Sequence, residues 1–328
     1  MTTAIVIEQY GGPEVLVPQE VALSKPGAGQ VRLRHTFIGV NFHDVYVRSG
    51  LYKTLSLPGT PGIEAVGIVE ALGEGVEGFQ PGDRVAYVTG TYGVYASSRL
   101  IDADLLCPIP DGISDEIAAS TLLRGLTVEM LLYRVHQVQP GQTILVQAAA
   151  GGVGQLLCQW ASHLGATVIG TVGSEEQVSL AKSAGCAHVI RNRVEDVASE
   201  VMAFTEGRGV AVAYDGVGQA TFQGSLDALS LMGHLVNFGQ ASGAVPSFEV
   251  SRLAAKSNSL TRPIIFHYLK EKKQREAMTQ QVFNALSQGW LKAAKPRAFA
   301  LTDAAECHRV LEAQGASVPL LLVPSRSV

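Results

Sequence analysis

The architecture of this chain follows from one stretch, Thr143-Ile144-Leu145-Val146-Gln147-Ala148-Ala149-Ala150-Gly151-Gly152-Val153-Gly154. Its first half is a short apolar run, which is typical of a buried strand, and its second half consists of small residues. The apolar residues that follow recur with the spacing of a helix that buries one face; they are Val153, Leu156, Leu157, Trp160, Ala161 and Leu164. The stretch therefore predicts a strand, a tight turn and an amphipathic helix.

The turn fits the dinucleotide-binding pattern G-x-G-x-x-G, with Ala149 in the first glycine position. Small residues let the backbone turn sharply and approach a pyrophosphate, and the free amides at the start of a helix favour an anion. We therefore predict that Ala150, Gly151, Gly152 and Val153 bind the phosphates of a dinucleotide. The alternative is a turn that serves only to pack the helix on the strand.

A repeating strand-then-helix rhythm continues beyond this turn. Further strands are predicted at Thr167 to Thr171, Ala187 to Ile190, Val210 to Tyr214 and Leu235 to Phe238. Such alternation is typical of parallel strands with crossover helices, and it predicts a doubly wound α/β sheet of the Rossmann type. Two turns, Asp215-Gly216-Val217-Gly218 and Phe238-Gly239-Gln240, each follow a predicted strand. Ligands bind at the carboxyl ends of such strands, so each turn either faces the cofactor or is a plain turn.

The remainder of the chain has a different texture. Residues 1 to about 120 read as short strands broken by glycine and proline turns, as at Val31 to Arg34 and at Pro81-Gly82-Asp83-Arg84-Val85. Beyond about residue 265, one long helix from about Lys273 to Gln288 precedes short strand-like pieces. We predict a mainly-β domain over 1–124, the cofactor domain over 125–265, and a segment over 266–328 that returns to the first domain.

Composition narrows the possible partners. The 328 residues exceed the size at which a single core usually stops growing, which predicts two domains. The net charge is −4 and no long run of Lys or Arg is present, so the sequence carries no electrostatic sign of a nucleic-acid-binding surface. The four cysteines are far apart and form no CxxC pair, which argues against a disulfide framework or a thiolate metal site. No signal-like start or membrane-length apolar run is present, so we expect a cytoplasmic protein that acts on small molecules and binds no membrane.

Several segments together resemble one family. They include Gly141-Gln142-x-x-Leu145-x-x-x-Ala149-Ala150-Gly151-Gly152-x-Gly154-x-x-x-x-Gln159-x-x-Ser162, Gly39-Val40-Asn41-Phe42-x-Asp44-x-Tyr46-x-Arg48-x-Gly50-x-Tyr52 and Thr261-Arg262-Pro263. The chain is similar to the zinc-independent medium-chain dehydrogenase/reductases, and specifically to the NADPH:quinone oxidoreductases related to zeta-crystallin. This resemblance implies a GroES-like catalytic domain beside the Rossmann domain, a homodimer, and hydride transfer from NADPH without flavin.

The resemblance also implies chemistry without a metal. Zinc alcohol dehydrogenases of the same superfamily carry a cysteine at the position of Asn41 and a Gly-His-Glu where this chain has Gly62-Ile63-Glu64. A catalytic zinc ion needs about three protein ligands, and Glu64 alone cannot hold it. Without a Lewis acid the enzyme is expected to favour electrophilic acceptors such as quinones or α,β-unsaturated carbonyls.

By the same resemblance, Asn41, Asp44, Tyr46 and Tyr52 face the nicotinamide and are predicted to place the substrate. Asn41 is expected to bond the cofactor, Asp44 to orient its neighbours, and the two tyrosines to stack on a planar acceptor or donate to its oxygen. The alternative for each tyrosine is simple packing of its ring. No general acid is assigned; His43 departs from the family's apolar residue and is taken as a packing or surface residue, with catalysis as the minority interpretation.

The resemblance extends the cofactor site to residues at other strand ends. These are Asn41, Thr127, Gly173, Ser174, Gln177, Asn192, Gly216, Val217, Phe238, Gly239, Gln240 and Arg262. Gln177 and Asn192 replace the family's lysine and tyrosine, so the positive charge for the ribose phosphate of NADPH must come from elsewhere. Arg191 and Arg193 are the candidates, unless they form only a solvated strand end. We expect NADPH, with NADH also possible.

Two other functions remain open. An enone reductase would share every cofactor residue and differ only in its acceptor. A non-catalytic protein, such as a lens crystallin or an RNA-binding relative, is the alternative of another class, although the acidic balance argues against RNA.

Overall fold

The computed structural model describes residues 1–314 and 318–325. The chain divides into two compact units. The first comprises Met1–Leu123, Leu269–Ser287 and Ala293–Val328, and the second comprises Arg124–Tyr268 and Gln288–Lys292. The described residues contain no helix with the length and apolar character that crossing a membrane requires.

The strands are β1 (Thr2–Val6), β2 (Val17–Val21), β3 (Gln30–Val40), β4 (Glu64–Leu72), β5 (Arg84–Val88), β6 (Ser98–Asp102), β7 (Cys107–Pro108), β8 (Thr143–Val146), β9 (Thr167–Val172), β10 (Cys186–Arg191), β11 (Val210–Asp215), β12 (Leu229–Asn237), β13 (Ser259–Thr261), β14 (Arg297–Ala300) and β15 (Leu320–Val323). The α-helices are α1 (Phe42–Ser49), α2 (Asp115–Glu129), α3 (Gly152–His163), α4 (Val178–Ser183), α5 (Val197–Phe204), α6 (Phe222–Asp227), α7 (Ile265–Tyr268), α8 (Lys272–Ser287) and α9 (Ala304–Gln314). Helix α2 continues into a π-helical segment, Met130–Val135.

The second unit is built on a parallel sheet with strand order β10-β9-β8-β11-β12-β13. Its strands read as apolar runs because both faces are covered, and Leu145, Ile169, Ala213 and Leu235 are fully buried in its core. The predicted Rossmann sheet is confirmed. Strand β12 begins at Leu229, earlier than the predicted start at Leu235. The prediction began late because Leu231 and Met232 are exposed and show no strand pattern.

The first unit is mainly β. Its larger sheet follows the order β14-β15-β3-β4-β5-β7, with β6 also pairing with β3, and β1 pairs with β2 in a separate ribbon. The C-terminal strand β15 pairs antiparallel with β3, with Leu321 opposite Gly39. Residues of α9, including Cys307 and Leu311, are buried in the same core as Val31 and Ile38 of β3. The mainly-β GroES-like architecture that was predicted is therefore confirmed.

A short return segment, Gln288–Lys292, belongs to the second unit although the helix before it belongs to the first. Trp290 stacks on His163 at the end of α3, with ring centroids 4.1 Å apart, and packs edge-on against Trp160. Gln159 adds hydrogen bonds to the backbone of Lys292 in both directions. Aromatic packing and these bonds fix the segment on α3.

Candidate cofactor and active site

The predicted cofactor residues of the second unit gather at one edge of its sheet. All six strands are parallel, so their carboxyl ends lie along the same edge. The predicted residues that come after these strands are Ala150 to Val153 after β8, Gly173 to Gln177 after β9, Asn192 after β10, Gly216 and Val217 after β11, Phe238 to Gln240 after β12, and Arg262 after β13. Thr127 lies half-buried on α2. The structure thus brings most of the predicted set to one edge.

Close approaches around the turn between β8 and α3 leave no room for a side chain at Gly154 or at Gly170. A Cβ atom on Gly154 would lie 2.2 Å from the carbonyl oxygen of Ala148, and one on Gly170 would lie 2.6 Å from the Cβ of Ala149. Ala148 itself adopts a left-handed backbone with φ of 53°. Gly151 caps α3 in an extended conformation, so the first amides of the helix face the turn. These features fit the pyrophosphate of a dinucleotide.

A buried hydrogen-bond network lies beneath this turn. Thr171 donates to the side chain of Gln147 (2.6 Å), Gln147 donates to Ser225 (3.0 Å), and Ser225 donates to Asp215 (3.0 Å). Asp215 also accepts from the hydroxyl of Thr221 at 2.8 Å. Each of these polar groups is buried, so removing one would leave its partner unsatisfied. The network therefore fixes the ends of β8, β9 and β11 relative to each other.

The loops after β11 and β12 pack directly on each other. A Cβ on Gly239 would lie 2.3 Å from the carbonyl oxygen of Gly216, and one on Gly216 would lie 2.8 Å from the ring of Phe238. Asp215 accepts hydrogen bonds from the amides of Val217 and Gly218, both at 2.9 Å. The two predicted cofactor-facing turns are thus one packed structure rather than two independent loops.

The strand ends of β9 and β10 carry the arginines considered for the ribose phosphate. Gln177 does not replace a lysine's charge; its Oε1 accepts from the amide of Gly173 at 3.0 Å. Arg191 is engaged by two carboxylates, Glu175 at 2.9 Å and Glu195 at 2.7 Å. Arg193 is exposed and forms no ion pair within the described ranges. Its Nε lies 3.5 Å from the position that a Cβ on Gly173 would occupy.

In the first unit, Asn41 and Glu64 form a buried pair. Asn41 donates from Nδ2 to Oε1 of Glu64 at 2.7 Å, and the amide of Leu123 donates to Oε2 at 2.9 Å. Gly39 makes room for this carboxylate, since a Cβ there would lie 2.3 Å from it. Both oxygens of Glu64 are therefore bonded within the protein. Across 1–314 and 318–325, no group of three or more His, Cys, Asp or Glu side chains is placed to hold a metal ion.

Asp44 is a fully buried acid in the first turn of α1. Its Oδ2 accepts from the amide of Asn41 (2.9 Å) and from the hydroxyl of Tyr95 (3.0 Å). Its Oδ1 has no hydrogen-bond partner within the described structure. Burial raises the pKa of Asp44 to about 7, against the lowering effect of those two bonds, and nearby Glu64 raises it further.

A row of buried groups connects Asp44 to the surface. The Tyr95 hydroxyl lies 3.0 Å from Nε2 of His308, and Nδ1 of His308 lies 3.2 Å from Arg48. Arg48 is buried and donates two bonds to the carboxylate of Glu312, at 2.9 and 2.8 Å. Burial lowers the pKa of His308 to about 3, so its ring is neutral and links a hydroxyl to a guanidinium. This row anchors α1 to α9.

The two predicted tyrosines contact each other. The rings of Tyr46 and Tyr52 meet edge to face with centroids 5.1 Å apart, and the amide of Tyr52 donates to the carbonyl of Tyr46. His43 packs against Tyr52 at 5.7 Å and stacks on Tyr92 at 6.0 Å. The first unit thus brings all four predicted substrate-placing residues to α1 and to the residues just before and after it, with His43 and Tyr92 added to the cluster.

Comparisons with known proteins agree with this architecture. The family model "Alcohol dehydrogenase GroES-like domain" matches residues 27–111, and "Zinc-binding dehydrogenase" matches residues 152–283. The chain is 40% identical over 327 residues to a quinone oxidoreductase of Salmonella typhimurium, covering 99% of this chain and 100% of that protein. The crystal structure of Escherichia coli quinone oxidoreductase complexed with NADPH superposes with a TM-score of 0.94 at 39% identity, over 98% of this chain and 100% of that one.

This chain belongs to the quinone oxidoreductase family of the medium-chain dehydrogenase/reductases. The predicted family is thereby confirmed, and the relatives that define it are enzymes. The family also contains a second chemistry, because a 2-haloacrylate reductase of a Burkholderia species is 38% identical over 331 residues, covering 99% of each chain.

Sequence reasoning missed part of the site of this quinone oxidoreductase relative. Tyr92 and Thr54 were not singled out, because neither lies in a motif and both join the cluster only in the folded unit, where Tyr92 is bonded to His43 and Thr54 is bonded to Tyr92. The buried position of Asp44 was also not foreseen, since its carboxylate sits in an otherwise ordinary amphipathic helix. The sequence signal for this cluster comes from His43, Tyr46 and Tyr52, which all lie in the family-like segment that begins at Gly39.

Replacement of Asp44 tests its raised pKa. Between about pH 4 and 7 the folded state keeps a proton on Asp44 that the unfolded state has lost, so this group makes the free energy of unfolding fall as pH rises. Asp44→Asn has no proton to lose. Relative to the parent, its free energy of unfolding in urea should therefore increase by about 2 kcal/mol between pH 5 and pH 8. Asp102→Asn, at an exposed position of the same unit, is the control; parallel curves for Asp44→Asn and the parent would contradict the assignment.

Proposed function

We propose that this chain is an NADPH-dependent quinone reductase that works with neither a metal nor a flavin. The observation that carries this proposal is the glycine turn at the start of α3, which fits a pyrophosphate in a chain 40% identical to a quinone oxidoreductase over its whole length. The buried Asn41–Glu64 pair supports chemistry that needs no zinc, because both oxygens of the remaining carboxylate are bonded within the protein.

Bound NADPH would supply the hydride. The protein then needs to bind the cofactor, orient the acceptor and handle one proton. The first amides of α3 would hold the pyrophosphate, with Gly216 and Gly239 allowing close backbone approach at the neighbouring strand ends. Asn41 would orient the nicotinamide end, since its amide is held in place by Glu64 at 2.7 Å.

The acceptor would lie against the aromatic cluster of the first unit. The rings of Tyr46 and Tyr52 are half-buried, so each keeps part of its face accessible to a planar molecule. Aromatic faces and edges suit quinones, which are flat and electron-poor. Asp44 would fix the start of α1, where Asn41 stands, through the bond that it accepts from the Asn41 amide.

A panel of acceptors separates the two reductase functions. We expect NADPH oxidation with 1,4-naphthoquinone to yield hydroquinone in equal amount, with kcat/KM at least about tenfold above that of small enones and 2-chloroacrylate. The similarity to a 2-haloacrylate reductase is the observation that supports the enone alternative. A preference for the enones, measured as product formed at equal NADPH consumption, would establish that alternative instead. NADPH binding without turnover of any acceptor would point to the non-catalytic protein.

Preference for NADPH over NADH would rest on Arg193. Of the two arginines at the end of β10, Arg191 is neutralised by Glu175 and Glu195, whereas Arg193 lies beside Gly173 and has no carboxylate partner within the described ranges. A guanidinium binds a phosphate with two parallel hydrogen bonds. The exposed carboxylates nearby would weaken discrimination, so NADH should remain a poorer but usable donor.

Substitution at this edge tests the assignment. Arg193→Ala should raise KM for NADPH about tenfold and change KM for NADH less than about twofold, because only NADPH carries the extra phosphate. Arg191→Ala is the matched control and should shift the ratio of the two constants much less. A parent enzyme that prefers NADH, or a larger effect from Arg191→Ala, would refute this account of the cofactor.

We also propose a homodimer formed through β13. This strand lies at the edge of the parallel sheet. Exposed apolar side chains lie on it (Leu260), on the neighbouring strand β12 (Leu231 and Met232) and in the segment between the two strands (Val250). An edge strand with an apolar border is completed by an identical strand from a second copy, related by a twofold axis.

A cytoplasmic location, in which the four buried cysteines remain thiols, is also part of the proposal and is checked by cell fractionation.

Light scattering after size exclusion tests the dimer. The parent should show twice the 34.6 kDa chain mass, and Leu260→Lys should shift it to the single-chain mass. Val194→Lys places the same charge on an exposed residue after β10, at the opposite edge of the sheet, and should leave the dimer intact. A monomeric parent would disprove the assembly.

A further inference from the structure

A row of three hydrogen-bonded side chains leads into the aromatic cluster of the first unit. The hydroxyl of Thr54 is hydrogen-bonded to that of Tyr92, and the Tyr92 hydroxyl lies 3.2 Å from Nε2 of His43. Thr54 is exposed, whereas Tyr92 is only 7% exposed. The row therefore runs from solvent to an imidazole whose ring contacts Tyr52, one of the two tyrosines proposed to hold the acceptor.

The backbone at Tyr92 is held in a costly conformation. Its φ is 55°, in the left-handed region that bulky residues rarely adopt. Two hydrogen bonds secure it: Arg99 donates to the carbonyl oxygen of Tyr92, and the amide of Gly93 donates to that of Thr60, both at 2.8 Å. Backbone strain of this kind is concentrated at functional sites, and here it directs the phenol between Thr54 and His43.

The protonation states give the row a direction. Burial lowers the pKa of His43 to about 4, so its ring is neutral near pH 7 and has one nitrogen that accepts and one that donates. With Thr54 donating to the Tyr92 oxygen and Tyr92 donating to Nε2, the hydrogen of the ring resides on Nδ1. A neutral imidazole in such a row takes up a proton on one nitrogen while it releases one from the other.

We propose that Thr54, Tyr92 and His43 form a proton path, in which His43 donates to the oxygen of an acceptor bound against Tyr46 and Tyr52. This inference rests on the proposed reductase function. The ligand it requires is a planar carbonyl compound whose oxygen becomes negatively charged on reduction, as in a quinone or an enone. His43 would be the catalytic residue, because it touches the acceptor, and Tyr92 and Thr54 would act through it.

The step balances without any further oxidant or reductant. The hydride from the cofactor adds two electrons to the acceptor and leaves its oxygen anionic. The Nδ1–H bond of His43 breaks and an O–H bond forms on the acceptor. Nε2 takes the hydrogen of Tyr92, the Tyr92 oxygen takes that of Thr54, and the Thr54 oxygen regains one from water. One hydride and one water-derived proton are consumed, and the three side chains are restored once the ring returns to its first tautomer.

Variants that keep ring shape test the path. With 1,4-naphthoquinone and NADPH, His43→Phe should lower kcat about a hundredfold, whereas Tyr92→Phe and Thr54→Val should lower it about tenfold with little change in KM. The parent should be slower in D2O, and His43→Phe should lose that isotope effect. Added imidazole should restore part of the activity of His43→Ala. Tyr10→Phe, which removes a nearby hydroxyl that donates to the carbonyl oxygen of Leu55, is the matched control and should behave as the parent.

A binding measurement separates this inference from the proposed function. Naphthoquinone should bind NADP⁺-loaded His43→Phe about tenfold more weakly than the loaded parent, because a hydrogen bond to its oxygen is lost. A parent that turns over quinone while His43→Phe keeps its kcat and isotope effect would overturn the path and leave the reductase function standing. A parent that binds quinone without reducing it, with binding weakened in His43→Phe, would overturn the reductase function and support His43 as the acceptor's donor. If the parent binds quinone without reducing it and His43→Phe binds quinone equally well, both the reductase function and the role of His43 are overturned.

Discussion

The backbone of the second unit turns back on itself after β8 because residue 154 has no side chain. The first turn of α3 lies so close to Ala148 that a Cβ on Gly154 would be 2.2 Å from its carbonyl oxygen. The same compactness reaches the next strand, where Gly170 makes room for Ala149. This close approach places the positive end of α3 at the carboxyl edge of the sheet, where the other five strands also end.

The first unit buries several polar side chains and holds them by hydrogen bonds. Glu64 is bonded by Asn41 and by the amide of Leu123, so its charge is met by fixed donors. Asp44 is held by Tyr95 and the Asn41 amide, and a neutral His308 connects that pair to Arg48 and Glu312. Hydrogen bonds between residues that are distant in sequence therefore hold these buried side chains in place.

The parts of the fold that could be predicted from the sequence are those encoded locally. The strand at Thr143, the turn and α3 follow from an apolar run, a cluster of small residues and a helical stripe, all within about twenty residues. The start of β12 was missed because Leu231 and Met232 are exposed, and because the pairing of β12 with β11 is interrupted between Leu229 and His234. The sequence also presented Arg191 and Arg193 as equivalent, and only the carboxylates that surround Arg191 distinguish them.

The side-chain contacts of the first unit were less predictable because the residues that form them are distant in sequence. His43 and Tyr92 are 49 residues apart, and Arg48 and His308 are 260 apart, so no local pattern indicates either contact. The proposed reductase function depends on a dinucleotide lying over the start of α3. Hydrogen exchange of the backbone amides, measured by mass spectrometry with and without NADPH, tests this most directly. Protection should appear at residues 148–155 and at the loops after β11 and β12; unchanged exchange there at saturating NADPH would contradict the account.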